Sequence, residues 1–267
     1  MKLGILGMGK MGEAIAHGLS KSSHAKDFTI QGTTRSLESA RQASKNLGIT
    51  IHIENEKLAR DSEVIVLSIK PHQAEKVVRA MALQLTNKHL VISICAAITT
   101  EQLEEWSGGK CAVIRAMPNT PCLVGEGMTV FCPGKAAQAP HLKIAEKIFA
   151  TVGRTAVVEE SLMDGVTGLS GCGPAYIYLV IEALSEAGVK VGLPRETATL
   201  LASQTLLGAA KMVIERGVHP AALKDEVTTP AGCTIDGLMA LEEGKLRVTL
   251  IKAVLAATKR SKSLRGV

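Results

Sequence analysis

The chain has 267 residues, enough for one full domain and a smaller second one with a sizeable buried core. Apolar residues make up 46% but aromatics only 2%, so the core is built from aliphatic side chains and base-stacking platforms for single-stranded nucleic acid are not expected. The 31 basic and 25 acidic residues leave a charge of +6, which suits small anionic ligands as well as DNA; the partner expected is a small molecule and not a nucleic acid.

From Lys2 onward, short β-rich runs alternate with helix-length segments: KLGIL, FTIQG, EVIVLSI, LVISICA, AVIRAM, MTVFC and RTAVVEE. That alternation predicts βαβ units in a mostly parallel, doubly wound sheet. Directly after the first run, and opening the helical pattern EAIAHGLSK, stands Gly7-Met8-Gly9-Lys10-Met11-Gly12. A GxGxxG between strand and helix predicts a Rossmann-type dinucleotide site. Gly7 makes the tight turn, Gly9 lets the backbone approach the pyrophosphate, and Gly12 permits close packing, with the helix N-terminus facing the phosphates. The next run ends in Thr33-Thr34-Arg35-Ser36, without the acid that usually accepts from an NAD ribose. Arg35 is placed to pair with a 2′-phosphate while the Thr34 and Ser36 hydroxyls add donors, so NADPH is favoured and NADH remains possible.

EVIVLSI delivers Lys70-Pro71-His72 at its carboxyl end, and LVISICA delivers Cys95-Ala96-Ala97 in the same way. Ligands sit across these ends, so Lys70 is either a cofactor-side group or a solvated lysine. Met117–Pro121, MPNTP, reads as a stiff loop in which Asn119 and Thr120 either face the nicotinamide or make a structural turn.

Near Glu160 the pattern changes to helices, at about 162–168, 174–188, 195–216, 220–227, 234–242 and 246–262. The expected organisation is an NAD(P)-binding domain over 1–160 and an all-helical domain over 161–267. SGCG at Ser170–Gly173 reads as a hinge beside the cofactor crevice, with Pro174 in a helix's first turn. Tyr176 and Tyr178 read as core. The helices at 174–188 and 195–213 are apolar or small around much of their circumference. A domain of about a hundred residues cannot easily bury them alone, so a second copy of the chain is expected to cover them. Thr228-Thr229-Pro230-Ala231-Gly232-Cys233-Thr234 precedes another helix and suits a carboxylate, with the Thr234 hydroxyl either capping the helix or bonding the ligand. The basic tail KRSKSLRGV is expected to fray.

The six cysteines form no Cys-x-x-Cys pair and the histidines show no ligand spacing beside them, so neither a metal site nor a disulfide framework is expected. The first residues are too short an apolar run for a signal peptide, and no uncharged stretch reaches membrane-spanning length. The expectation is a reduced, cytoplasmic protein without a membrane partner.

The whole chain resembles the pyrroline-5-carboxylate reductase family. The likeness is carried by GMGKMGEAI, SIKPH, ICAAIT, VIRAMPNTP, GLSGCGPAY, LASQTLLGAAKMV and, most specifically, HPAALKDEVTTPAGCTIDGLMALEEG. Ala231 departs from it, since many members carry a second glycine there. The resemblance implies an N-terminal Rossmann domain and a C-terminal helical dimerisation domain, with dimers that often associate into decamers. It implies cofactor contacts from Leu6, the Gly7–Gly12 loop, Thr34, Arg35, Ser36, Asn55, Ser68, Ile69, Lys70, Cys95, Ala96 and Ala97. Gly232, Cys233 and Thr234 would hold the substrate, with Thr234 the candidate catalytic residue. The implied reaction is NAD(P)H-dependent reduction of 1-pyrroline-5-carboxylate to L-proline, the last step of proline biosynthesis. Two other readings share the layout. A β-hydroxyacid dehydrogenase would use Lys190 as its acid and give TTPAGCT no role; a non-catalytic NADPH-binding relative would keep only the cofactor loop.

Overall fold

The computed structural model describes residues 1–264. Eight strands form one sheet: β1 (Lys2–Leu6), β2 (Thr29–Thr33), β3 (Thr50–His52), β4 (Val64–Leu67), β5 (Leu90–Ser93), β6 (Ala112–Met117), β7 (Gly127–Pro133) and β8 (Gly153–Val157). Their order is β3-β2-β1-β4-β5-β6-β7-β8. The order reverses between β1 and β4, the switch point at which doubly wound sheets bind ligands. Helices α1 (Lys10–Lys21), α2 (Leu37–Leu47), α3 (Asn55–Asp61), α4 (Pro71–Met81), α5 (Thr100–Trp106) and α6 (Ala139–Phe149) make the crossovers.

Parallel strands covered on both faces read as unbroken apolar runs, and alternate side chains divide between two cores. In β4, Val64 and Val66 join Leu3, Ile5, Ile92 and Ile114 on one side. Ile65 and Leu67 join Leu6, Val91 and Val113 on the other. The sheet is mostly parallel and doubly wound, as the sequence predicts, with two added details. Strand β3 has only three residues at the sheet edge, too few to show a periodicity. β7 lies antiparallel to β6, because the short link between them has no room for a crossover helix.

After β8 the chain is helical: α7 (Met163–Val166), a π-helical turn (Thr167–Gly171), α8 (Gly173–Lys190), α9 (Arg195–Arg216), α10 (Pro220–Glu226), α11 (Cys233–Glu243) and α12 (Leu246–Ser263). The compact units do not divide where the strands stop. The first holds Met1–Cys172 and the chain from Ala256, and the second holds Gly173–Leu255. Met163 is fully buried with Val130 and Cys132 of β7, which keeps the start of the helical region in the first unit. Ser261 donates a 2.8 Å hydrogen bond to the Asp164 carboxylate, both residues buried, and so holds the end of α12 there. The tail is therefore helical to Ser263 rather than frayed; Arg265–Val267 lie outside the described residues.

In the second unit, α8 and α9 run back along one another after the Gly192 turn (φ +97°), and a Cβ on Gly188 would lie 2.7 Å from that of Ala198. Only Ser185, Ala198 and Ala202 of this unit are buried. Leu179, Leu200, Leu201, Ile251 and Leu255 are all more than half exposed, as is Tyr178, which is not a core residue. α9 has the length and hydropathy of a bilayer span, though its 18-residue apolar window contains Lys211.

Candidate functional site

The loop between β1 and α1 divides its work among three glycines. Gly7 has φ +91°, a left-handed conformation that side chains resist, and a Cβ there would lie 2.4 Å from the Ser68 carbonyl oxygen. A Cβ on Gly12 would lie 2.6 Å from the Gly7 carbonyl oxygen and 3.2 Å from Ile5, so the helix packs tightly on its strand. A Cβ on Gly9 would meet nothing within 4 Å. Gly9 thus fronts open space at the N-terminus of α1, where the first-turn amides of Lys10, Met11 and Gly12 point outward. That bare cradle fits a pyrophosphate. Leu6 is fully buried and offers only its backbone, while Met8 packs over Gly32. The loop is braced from β2: the Gly7 N–H reaches the Thr33 hydroxyl at 3.3 Å, which donates to the Asn55 side-chain oxygen at 2.8 Å. Asn55, the first residue of α3, is thereby joined to the glycine loop.

At the end of β2 the three polar candidates separate in role. The Thr34 hydroxyl donates to the Ser36 carbonyl, and the Ser36 hydroxyl caps α2 by accepting from the Ser39 N–H at 3.2 Å. Both hydroxyls thus lie at the start of α2, next to Arg35. Arg35 is exposed and makes no ion pair among the described residues.

Ser68, Ile69 and Lys70 follow β4, with Lys70 exposed and preceding Pro71 at the first turn of α4. Cys95 follows β5 with its thiol buried, donating to the Ile69 carbonyl at 3.3 Å. Burial pushes that thiol's pKa up, so it serves as a tie between the two loops rather than as a nucleophile. Ala96 is half-buried, and Ala97 holds φ +63°. The carboxyl ends of β1 to β5 thus bring the cofactor-side candidates, Asn55 after β3 included, into one region of the first unit.

Two groupings there were not found by sequence reasoning. Arg115 is 1% exposed in β6 and pairs with Glu160, whose carboxylate also accepts from the Thr100 N–H at 3.1 Å and hydroxyl at 2.9 Å. Burial alone would raise the Glu160 pKa; the Thr100 N–H, the Arg115 guanidinium and the Thr100 hydroxyl outweigh it and hold the carboxyl below its ordinary range. Burial and the same carboxylate push the neighbouring Cys132 thiol up to about 12. A charge in the middle of AVIRAM was the available signal, since a buried charge demands a partner. The second grouping is at Asn119, whose side-chain oxygen accepts from the Met128 N–H at 2.8 Å and whose amide donates to the Ser170 carbonyl at 3.1 Å. Asn119 is therefore engaged structurally rather than free to face the nicotinamide.

The substrate-side candidates belong to the second unit. The Gly232 N–H donates to the Thr229 carbonyl at 3.0 Å, closing a turn with Pro230 and Ala231 at its centre. Ala231 has φ +57°, the sign that the third position of a type II turn needs and that glycine adopts more readily. A Cβ on Gly232 would lie 2.5 Å from the Thr229 hydroxyl oxygen. Gly232 itself precedes α11, with Cys233 and Thr234 as the first two helical residues. The Gly232 N–H is spent within the turn. The N–H groups of Cys233 and Thr234, and the Thr234 hydroxyl, have no partner among the described residues. Lys190 is exposed at the last turn of α8.

A switch-point crevice with a glycine cradle, followed by helices that leave broad apolar faces uncovered, defines a Rossmann-type dinucleotide-dependent oxidoreductase with a helical dimerisation region. Residues 160–264 match the family model described as pyrroline-5-carboxylate reductase dimerisation. Residues 2–97 match that of NADP oxidoreductase coenzyme F420-dependent. Pyrroline-5-carboxylate reductase of Arabidopsis thaliana is 43% identical over 98% of this chain and 95% of the plant protein. The Coxiella burnetii pyrroline-5-carboxylate reductase structure is 37% identical, with a TM-score of 0.93 over 98% of this chain and 97% of that one. A Plasmodium falciparum pyrroline carboxylate reductase solved with NADP bound, also 37% identical, has a TM-score of 0.86 over 99% and 98% of the two chains. The chain belongs to the pyrroline-5-carboxylate reductase family.

Proposed function

We propose that this protein reduces the C=N bond of 1-pyrroline-5-carboxylate to L-proline with NADPH. The observation that carries the reading is the turn before α11, which leaves the Cys233 and Thr234 amides and the Thr234 hydroxyl unengaged together at a helix N-terminus. NADPH supplies the hydride. Gly9 admits its pyrophosphate to the α1 amides, and Arg35 pairs with the 2′-phosphate. Backbone at Ser68, Ile69, Cys95, Ala96 and Ala97, with Lys70 beside it, lines the nicotinamide half.

The substrate carboxylate sits on the N–H groups of Cys233 and Thr234, while Gly232 supplies the shape of the turn. The Thr234 hydroxyl bonds the ring nitrogen and fixes which face of the ring is presented. A hydroxyl is a poor acid at neutral pH, so the nitrogen takes its proton from solvent. On the substrate, the ring carbon gains hydrogen as the π pair passes to nitrogen, and the amine results.

The exposed apolar faces of α8, α9 and α12 are covered by a second copy of the chain, making a homodimer that assembles further, as in a decamer. This also accounts for the hydropathy of α9 without a membrane. The enzyme works in the cytoplasm, in proline biosynthesis. The test is NADPH consumption with pyrroline-5-carboxylate and, separately, NADP reduction with a panel of 3-hydroxy acids; turnover on the hydroxy acids alone would overturn the proposal.

A further inference from the structure

We propose that Asn119 is a positioning residue for hydride transfer: it holds the π-helical turn Thr167–Gly171 at the carboxyl end of β6. The inference rests on the NADPH reading above, because it concerns the nicotinamide half of that crevice.

The amide of Asn119 has partners of opposite kind. The Met128 N–H can only donate, so the side-chain oxygen must face it; the Ser170 carbonyl can only accept, so the NH2 must face that. One orientation satisfies both, and the side chain joins β7 to the π-helical turn. Pro118 and Pro121 flank the residue and stiffen the loop that carries it.

The held segment is itself unusual. Its Cys172 N–H bonds five residues back to the Thr167 carbonyl at 2.9 Å. The Thr167 and Ser170 hydroxyls turn back to the carbonyls of Met163 and Val166, at 2.9 and 3.2 Å. Such turns are rare, and they occur frequently at functional sites. A Cβ on Gly171 would lie 2.6 Å from the terminal methyl of Met117, the last residue of β6. Asn119 and Gly171 therefore fix the turn from two independent directions, two residues before the chain enters the second unit at Gly173.

Position in the sheet separates this role from cofactor affinity. In a doubly wound sheet the β1–β3 half takes the adenosine and the half beyond β4 takes the nicotinamide. Asn119 follows β6, on the nicotinamide side, whereas the glycine cradle and Arg35 follow β1 and β2. Shifting the π-helical turn displaces the reacting ring and leaves the anchors in place. A displacement of about 1 Å costs about a hundredfold in rate.

Asn119→Asp tests this, because it keeps an acceptor for Met128 and replaces the donor facing Ser170 with an oxygen. Gly171→Ala perturbs the same backbone from the Met117 side, and the flexible methionine lets the chain fold. For each variant the readouts are NADPH Kd, kcat, KM and the isotope effect with NADPH deuterated at the transferred position. We expect Kd within about twofold of wild type, kcat lowered by about tenfold to a hundredfold, and an isotope effect at least as large as in wild type, because hydride transfer is the step slowed. Unchanged kcat in Gly171→Ala, or losses of kcat matched by equal losses of NADPH affinity, would overturn the role. So would a smaller isotope effect, or a loss of kcat no greater than the loss of folded enzyme read by circular dichroism. An inactive wild type would instead sink the reaction assignment itself.

Discussion

Gly9→Ala and Gly7→Ala make a discriminating pair, because the two glycines sit two residues apart in one loop and are needed for different reasons. At Gly9 a methyl meets no protein atom within 4 Å, so the folded chain accommodates it. Gly9 is the N-cap of α1, and losing glycine there costs about 0.5–1 kcal/mol. The same methyl occupies the space a pyrophosphate needs, so NADPH affinity should fall at least about tenfold, or about 1.4 kcal/mol. At Gly7 the methyl meets the Ser68 carbonyl at 2.4 Å on a backbone with φ +91°. The left-handed conformation costs about 1–2 kcal/mol and the overpacking about 1–3 kcal/mol. At about 2–4 °C per kcal/mol, Gly7→Ala should lower the melting temperature by roughly 4–20 °C, against about 1–4 °C for Gly9→Ala. Thermal unfolding without cofactor, paired with NADPH titration by fluorescence, reads both quantities. Equal destabilisation by the two substitutions, or full NADPH affinity in Gly9→Ala, would refute the division of roles.

Arg35→Ala should weaken NADPH by about tenfold or more while leaving NADH nearly unchanged, since only the 2′-phosphate loses a partner; an unaltered ratio of the two dissociation constants removes Arg35 from that role. Thr234→Ala should lower kcat/KM for the imine with NADPH Kd held, and parallel losses of both would sink the assignment. Ala231→Gly should raise stability by about 1 kcal/mol in denaturant unfolding, because it relieves a left-handed alanine at φ +57°. Glu160→Gln should cost about 3 kcal/mol near neutral pH by leaving Arg115 buried without a counter-charge. The Glu160 carboxyl has a depressed pKa in the folded protein. Its contribution is therefore complete above the unfolded value of about 4.3 and disappears as pH falls through the folded value. The wild type should lose stability over that acid range and the glutamine variant should not; identical acid profiles would contradict the pairing.

The cofactor loop was legible because its chemistry is local: GMGKMG needs only a strand before it and a helix after it. The helical elements were legible for a similar reason, since long apolar helices broken by GLP and GVHP announce their own ends. Strand β3 was hidden because three half-polar edge residues carry no period. The Arg115–Glu160 pair joins residues 45 positions apart, and Asn119 reaches Ser170 across 51. Nothing in local pattern encodes such partners, although a charge within an apolar strand did advertise that one must exist. The second role of Ser36 was open in the sequence, because cap and ligand sites favour the same residues, and the geometry shows that its hydroxyl caps α2 beside the exposed Arg35. Likewise the Gly232 amide looked available in sequence, yet the turn that exposes its two neighbours consumes it.

The central claim is that the protein reduces pyrroline-5-carboxylate to L-proline with NADPH and that Thr234 serves the substrate rather than the cofactor. Its most direct test is the stoichiometry of NADPH oxidation and L-proline formation from pyrroline-5-carboxylate, in the wild type and in Thr234→Ala. The account predicts one proline per NADPH oxidised in the wild type, and a large loss of rate in Thr234→Ala at unchanged NADPH affinity. NADPH oxidation without proline, or a Thr234→Ala enzyme as fast as wild type, would contradict it.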